Sequence, residues 1–452
     1  MHSLAGKRVV VVGLGTSGIA AARLATKLGA RVVATDAKPE SALSSEARSL
    51  ASSGVVLAVG GHGSAAIASA DLVVVSPGVP LFPELREAER AGVPVVGEVE
   101  LAVRQLPASV PLVAVGGTNG KSTVTSLVGE ILAADGRKTF TGGNLGDPLA
   151  DVVSEPWQAV VLEVSSFQME RVDTFRPKVS VLLNVTPDHL DRYDGMQAYA
   201  DAKGNAFRRQ REGDVAVVPY GDAVCLAQAR RGKGAIVTFG PGGDVDVTDD
   251  AVIDRRSGEI YERASFGLTG GHNALNVAAT VAAVSAIGVP PDAIRGTLRT
   301  FRGLPHRTAL VVLHDGVAWY DDSKGTNVGA SVTALLGLKE AKAVLVAGGK
   351  DKGGSYEPLV QALEKKGRAA VLLGEAAPLI AEAIGDRVPF HRAESLAQAV
   401  KKCAELARPG DAVLLSPACS SFDMFKDYKE RGDMFVREVH ALVAASRGGR
   451  PS

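Results

Sequence analysis

The sequence predicts an α/β protein built as three domains in series. Short valine-rich runs alternate along the chain with helical stretches rich in Ala and Leu, the pattern of parallel-sheet proteins. Two of these runs lead into glycine-rich loops that open helices, GLGTSG at 13–18 and GGTNGKST at 116–123. With 452 residues, 46% of them apolar, the chain can bury several cores.

Composition excludes whole classes of function. Lys+Arg and Asp+Glu both number 50, so the basic excess of a nucleic-acid binder is missing and no nucleic-acid partner is expected. Cys225, Cys403 and Cys419 are far apart, without a CxxC pair, and read as reduced thiols of a cytoplasmic protein. The opening MHSLAGKRVVVVGLG has only a four-valine run, far short of the roughly 20 residues of a membrane helix. Neither a signal peptide nor membrane insertion is expected.

The first domain, 1–106, begins with a strand over Lys7–Val12, the GLGTSG loop, a helix through Leu28 and the strand RVVATD. Further strands fall at 54–59, 71–75 and 93–96, and LPASVP at 106–111 reads as a linker. The second domain, 107–303, has the strand PLVAVGG, a helix over Lys121–Ala134, and strands at 159–164 and 179–185. Helices over 198–209 and 272–287, strands at 214–218 and 234–238, and an irregular hairpin over 243–268 complete it. The third, 304–452, has a hairpin over 308–320, strands at 343–349, 369–374 and 411–417, and a final helix over 421–443. AQARRGKG and the acidic 243–251 stretch read as peripheral.

Gly13, Gly15 and Gly18 lie between a strand and a helix, and Asp36 ends the next strand. Such glycines let backbone amides approach a pyrophosphate at the helix N-terminus, and a terminal acid can accept from a ribose hydroxyl. A dinucleotide and a UDP sugar both suit that Rossmann-like geometry; the plainer reading is tight strand-to-helix packing.

The second loop departs from the generic phosphate-loop pattern, with Val115 where a glycine is usual. The physics survives: loop amides cradle phosphates, Lys121 neutralises their outer oxygens, and Ser122 is a magnesium ligand candidate. Glu163, where AVVLEV meets a polar loop, stands where such sites keep a metal-binding carboxylate. These features predict a P-loop-type ATPase domain with a mainly parallel sheet, flanked by Rossmann-like domains at both ends. NVTPDHLDRY then places Asn184, Asp188, His189 and Asp191 at a strand's C-terminal end, with Lys203 on the next helix. By spacing alone His189 is either a hydrogen-bonding loop residue or a ligand, and Lys203 a solvated lysine.

Together VVGLGTSG, SPGVP, GGTNGKST, GGNLGDP, LEVSSFQ, NVTPDHLDRY, GGHNALN, GLPHR, DDSKGTN, GGKDKGG and LLSPACSSFDMFKDYKERGDMF resemble the Mur ligase family along essentially the whole chain, most closely its D-glutamate-adding branch. The resemblance implies substrates UDP-N-acetylmuramoyl-L-alanine, D-glutamate and ATP, an acyl-phosphate intermediate, and two magnesium ions. Ser122 and Glu163 would hold one; His189 and a carbamate on Lys203 the other. With Lys121, the last three form the implied catalytic set. ATP would meet Gly117, Thr118, Asn119, Gly120, Lys121, Ser122, Thr123, Asn273, Asn276, Arg307, Asp322 and Lys324. The UDP substrate would meet Thr16, Ser17, Asp36, Ser76, Gly78, Asn144 and His189; D-glutamate would meet Thr326, Lys352, Ser421, Phe422 and Tyr428. Lys352 reads equally as part of a solvated turn, and Phe422 as core or substrate wall. Ala309 stands where the family usually has a glutamate. A monomer is expected.

Four other readings fit the sequence less well. A nicotinamide dehydrogenase accounts for Gly13 to Asp36 but not for GTNGKS. The diaminopimelate-adding relatives carry a DNPR motif, missing here, and a folylpolyglutamate synthase would lack the GLGTSG domain. A non-catalytic relative would have lost Lys121, Glu163 or Lys203.

Overall fold

The computed structural model describes residues 3–190, 192–268 and 270–448, so Asp191 lies outside the described residues. They form two compact units. The first comprises Met1–Val185, Gln197–Ser265 and Leu275–Arg299; the second comprises Thr186–Met196, Phe266–Ala274 and Thr300–Ser452.

The first unit holds two sheets. Strands β1 (Arg8–Val12), β2 (Arg31–Asp36), β3 (Val56–Val59), β4 (Leu72–Val75) and β5 (Val95–Gly97) form a parallel sheet in the order β3-β2-β1-β4-β5. Its VVVV and LVVV runs are buried on both faces, as strands covered on two sides must be. The order reverses between β1 and β4, so Gly13 and Ser76 meet at the crevice where such sheets take ligands. The Ser76 hydroxyl donates to the Gly13 carbonyl oxygen at 2.7 Å. A Cβ on Gly18 would run into that same carbonyl, so the helix Thr16–Lys27 packs this closely only with glycine there.

The second sheet contains β6 (Leu112–Gly116), β7 (Thr139–Gly143), β8 (Ala159–Glu163), β9 (Val179–Leu182), β10 (Val215–Pro219) and β11 (Ala235–Phe239). It ends in β12 (Val245–Val247), β13 (Ala251–Asp254) and β14 (Glu259–Glu262), an antiparallel run of three strands where a hairpin was expected. Its order, β14-β13-β12-β11-β10-β9-β6-β8-β7, puts β6 between β8 and β9. AQARRGKG, expected to be peripheral, begins inside the helix Ala223–Ala229.

LPASVP does not separate two independent bodies. One apolar cluster runs from Val9 of the first sheet through Leu112 and Leu162 of the second to Phe175. Two buried carboxylates fasten this junction. Glu100 accepts from Asp173 N, Thr174 N, Thr174 Oγ1, Phe175 N and Arg104 Nε, all within 2.6–3.1 Å. Glu98 accepts from Ala150 N at 3.2 Å.

The second unit holds β15 (Ala309–His314), β16 (Val317–Asp321), β17 (Ala343–Gly348), β18 (Gly367–Leu373), β19 (Phe390–Arg392) and β20 (Ala412–Leu415). Their order is β15-β16-β20-β17-β18-β19, parallel apart from the β15/β16 hairpin, with an apolar cluster on each face. The last helix spans Tyr428–Gly448, seven residues later than the expected start at 421. Asp427 accounts for the shift: its Oδ1 accepts from Lys429 N and Glu430 N at 2.9 Å, as an N-cap does.

Burial pushes the Glu98 carboxyl from 4.5 up to about 7, opposed by the Ala150 amide and assisted by the Asp151 charge. The folded protein therefore holds this proton more tightly than the unfolded chain, and ionisation costs stability as pH rises from 4.5 through about 7. Glu98→Gln is expected to match the wild type near the lower limit and to exceed it by about 2–3 kcal/mol at about pH 8. Urea midpoints measure this; a variant no more stable than wild type at the higher pH contradicts it.

Candidate active site

β6 delivers the phosphate loop. Val115 is a fully buried strand residue paired with Glu163, outside the loop proper, so its side chain is compatible with phosphate binding. The turn uses Gly117 at φ +141° and Gly120 at φ +87°, backbone conformations that favour glycine. A Cβ on Gly120 would also come within 2.6 Å of Asn276 Oδ1. The helix Lys121–Ala134 then starts, with Ser122 and Thr123 buried in its first turn.

Asn184 holds the loop in shape. Its side-chain oxygen accepts from Thr118 N at 3.2 Å and Asn119 N at 2.9 Å, and its amide donates to Asn119 O at 3.1 Å. Lys121 folds back to donate to Thr118 O at 2.7 Å. Lys203, far from a solvated lysine, is 5% exposed; its Nζ donates to Gly117 O at 2.8 Å and lies 4.4 Å over the Tyr199 ring. Tyr199 OH is 3.3 Å from Thr118 Oγ1. Two ammonium groups thus converge on one loop's carbonyls.

On the other side of β6, Glu163 ends β8 and is 1% exposed. Its Oε1 accepts from Asn144 Nδ2 at 2.6 Å, and its carbonyl from Asn144 N at 2.9 Å. Gly143, at φ +91°, allows this approach, because a Cβ there would stand 2.6 Å from Glu163 O. The first sheet places Thr16 and Ser17 in the first turn of their helix and Gly78, at φ +86°, exposed after β4. Asp36 accepts from Leu14 N at 2.7 Å and Lys38 N at 2.9 Å, so its carboxylate shapes the glycine loop.

In the second unit Asp188 gathers two predicted residues, Lys352 and His189, together with Asn327. It accepts from Lys352 Nζ at 3.3 Å, Asn327 Nδ2 at 3.2 Å and His189 N at 3.0 Å, and lies 3.7 Å from His189 Nε2. His189 adopts φ +55°. Asp322 accepts from Thr308 N at 3.0 Å and Ser416 Oγ at 2.6 Å. Burial nevertheless outweighs these bonds and the Arg307 charge, pushing its carboxyl up to about 7. Lys324 Nζ sits 3.8 Å over the Tyr428 ring, whose edge meets His306. Thr326 N donates to Lys324 O at 2.8 Å, and Asn273 N to Gly270 O at 3.1 Å. Ser421 is buried, whereas Phe422 is 70% exposed, which removes the core reading.

Buried Arg431 joins two of these loops. Its Nη2 donates to Ser323 O at 2.9 Å and its Nη1 to Cys419 O and Ser420 O at 3.3 Å. Sequence reading missed Arg431, Tyr199 and Asn327 as site residues and gave Asn184 and Asp188 no role. Arg431 lies within the quoted ERGD run, its only sequence signal.

Among the described residues no group of three or more His, Cys, Asp or Glu side chains forms a metal site. The Ser122 hydroxyl and Glu163 carboxylate beside the loop are hard oxygen donors, a chemistry that fits magnesium. None of the helices searched, which cover the described residues, is long and apolar enough to cross a membrane.

In chain order, a Rossmann-like sheet, a mainly parallel sheet carrying the phosphate loop and a second Rossmann-like sheet make a three-domain α/β ligase fold. Family models match it piece by piece: Mur ligase MurD-like, N-terminal domain at 7–97; Mur ligase middle domain at 115–284; and Mur ligase, glutamate ligase domain at 306–419. The chain belongs to the Mur ligase family. It is 44% identical to the UDP-N-acetylmuramoylalanine–D-glutamate ligase of Geobacter metallireducens, across 98% of this chain and 99% of that protein. The ligase of the same name from Anaeromyxobacter dehalogenans is 45% identical, across 96% and 97%. A pseudomurein peptide ligase type C from Methanothermus fervidus shares the fold at TM-score 0.63 and 18% identity, covering 97% of this chain and 100% of that one. The MurF ligase of Thermotoga maritima, solved with ADP, does so at 0.60 and 20%, covering 82% and 96%.

Asn184→Ala removes the acceptor that two loop amides share. ATP binding is expected to weaken about tenfold, with binding of a UDP sugar nucleotide unchanged. Titration with a fluorescent ATP analogue measures it, and wild-type affinity in the variant would refute the loop-holding role.

Proposed function

We propose that this protein joins D-glutamate to UDP-N-acetylmuramoyl-L-alanine at the expense of ATP, a step of peptidoglycan precursor synthesis. The relatives' name supports the substrates. One arrangement supports the chemistry: a phosphate loop flanked by buried Glu163 on one side and buried Lys203 on the other. The segments 1–106, 107–303 and 304–452 would then hold the UDP substrate, ATP and the amino acid.

A carboxylate is a poor electrophile, so it must first be phosphorylated. Its oxygen bonds the γ-phosphorus, the bridging oxygen leaves with ADP, and an acyl phosphate forms. The neutral amine of D-glutamate then attacks the acyl carbon, phosphate departs, and the nitrogen loses a proton. Lys121, now bonded to a neutral carbonyl, would transfer to the more basic phosphate oxygens and counter the charge in flight. Ser122 and Glu163 would supply oxygens for one magnesium ion, and by the family resemblance His189 and a carbamate on Lys203 would hold a second. Magnesium, when bound, neutralises charge on the transferring phosphoryl group.

As an ammonium, Lys203 can only donate. If its neutral amine adds to carbon dioxide, an N–C bond forms, a proton leaves, and the side chain becomes an anionic oxygen donor suited to a hard cation. Thr16, Ser17, Asp36, Ser76, Gly78 and Asn144 serve the UDP substrate. Asn273, Asn276, Arg307, Asp322 and Lys324 serve ATP. Thr326, Lys352, Ser421, Phe422 and Tyr428 serve D-glutamate, with Lys352 shared between Asp188 and a substrate carboxylate. The same reading makes the protein a cytoplasmic monomer, whose three buried thiols stay reduced.

Purified protein with ATP, magnesium, UDP-N-acetylmuramoyl-L-alanine and radiolabelled D-glutamate is expected to yield labelled UDP dipeptide, and absence of product sinks the proposal. Lys203→Ala is expected to lower ligation about 10³-fold or more while UDP-substrate binding stays within about twofold of wild type. An active variant would remove Lys203 from the chemistry.

A further inference from the structure

The helix Met196–Gly204 carries Lys203, and its last turn is held by residues from the stretch that composition alone marks as peripheral. Gln228, 3% exposed, donates from Nε2 to Asp201 Oδ1 at 2.8 Å. Arg231 donates from Nη1 to Asp201 O at 2.6 Å and to Gln228 Oε1 at 2.7 Å, and from Nη2 to Asn205 Oδ1 at 2.7 Å. Asn205 in turn donates to Met169 O at 3.0 Å.

Glycine makes the approach possible. A Cβ on Gly204 would collide with Gln228 Oε1 and stand 2.6 Å from Arg231 Nη1. Gln228 is itself fixed, because its helix is capped by Asp222 and packs Cys225 and Ala229 into a core with Phe207 and Ala216. A helix ends with carbonyls that lack partners and a negative dipole end. Here a guanidinium answers both, on either side of Lys203 in sequence.

We propose that Gln228, with Arg231, is a positioning residue for the ligation reaction: it fixes the turn that lets Lys203 reach Gly117 O of the phosphate loop. It touches neither substrate nor nucleotide, and acts through Lys203. The proposal rests on the role given to Lys203 above.

Gln228→Leu keeps the side chain's bulk and removes both hydrogen bonds. In the full-length protein it is expected to lower kcat about tenfold or more, since small misplacements of catalytic groups carry such costs. KM for UDP-N-acetylmuramoyl-L-alanine should stay within about twofold, because the first sheet is untouched. The bicarbonate concentration giving half-maximal activity should rise, and the melting temperature should fall by no more than about 4 °C. Arg231→Lys, which keeps a cation at the turn, should recover most of kcat relative to Arg231→Ala. Wild-type kcat and bicarbonate response in Gln228→Leu overturn the proposal. So does a loss of activity matched by an equal loss of folded protein. If Lys203→Ala stays active, the role of the lysine itself has failed; if it is inactive while Gln228→Leu is normal, only the positioning has failed.

Discussion

The site depends first on the bond set between Asn184 and the loop that follows β6. A phosphate cradle is made of backbone, and backbone has no side chain with which to fix its own curvature. Two glycines give Thr118, Asn119 and Lys121 an unusual path, but glycine also leaves the unfolded chain more freedom to lose. Asn184 supplies the missing constraint from the end of the neighbouring strand: one side-chain oxygen receives two successive amides and its NH2 returns a bond to Asn119 O. Because β9 pairs with β6 in fixed register, the position of Asn184 is settled by the sheet. The loop's shape is therefore inherited from strand pairing.

Both units bury charge, and the buried groups named above have partners. Lys203 meets a loop carbonyl and an aromatic face, Glu163 meets Asn144, and Glu100 meets four donors from residues 173–175. Arg431 spreads its guanidinium over carbonyls of two loops. Burying such groups is costly unless geometry is good, so they define shape more than they add stability. Asp322 shows the limit: with Ser416, Thr308 and Arg307 beside it, burial still raises its carboxyl to about 7. A cation brought beside Asp322 would favour its ionised form.

Most strands were legible because parallel strands buried on both faces write themselves as unbroken apolar runs, as in Val9–Val12 and Leu72–Val75. β7 was not, since Thr139–Gly143 ends in two glycines, a residue type depleted in strands. Gly143 is there for the neighbour it meets, Glu163 O, and no local rule reports a neighbour. The start of the last helix is hidden in the sequence because SSFDMF is as apolar as the helix itself, and only the Asp427 cap marks it. The motif residues of the loop were legible through their spacing. Asn184, Tyr199, Arg431 and the Gln228 contact were not, because each acts on partners between 11 and 108 residues away in sequence.

Ala309 stands where the family resemblance leads one to expect an acid. It opens β15 directly opposite Asp321, so the two side chains share one face of the hairpin. Asp321 is already engaged with His306 Nδ1 at 2.6 Å, and the buried carboxyl of Asp322 follows it. A glutamate at 309 would add a further anion to this face, where like charges across a strand pair repel. Alanine leaves the His306 pair undisturbed, and the Asp322 acceptors are satisfied by Thr308 and Ser416. Position 309 is thus one where neither the His306–Asp321 pair nor the Asp322 bonds need an acid.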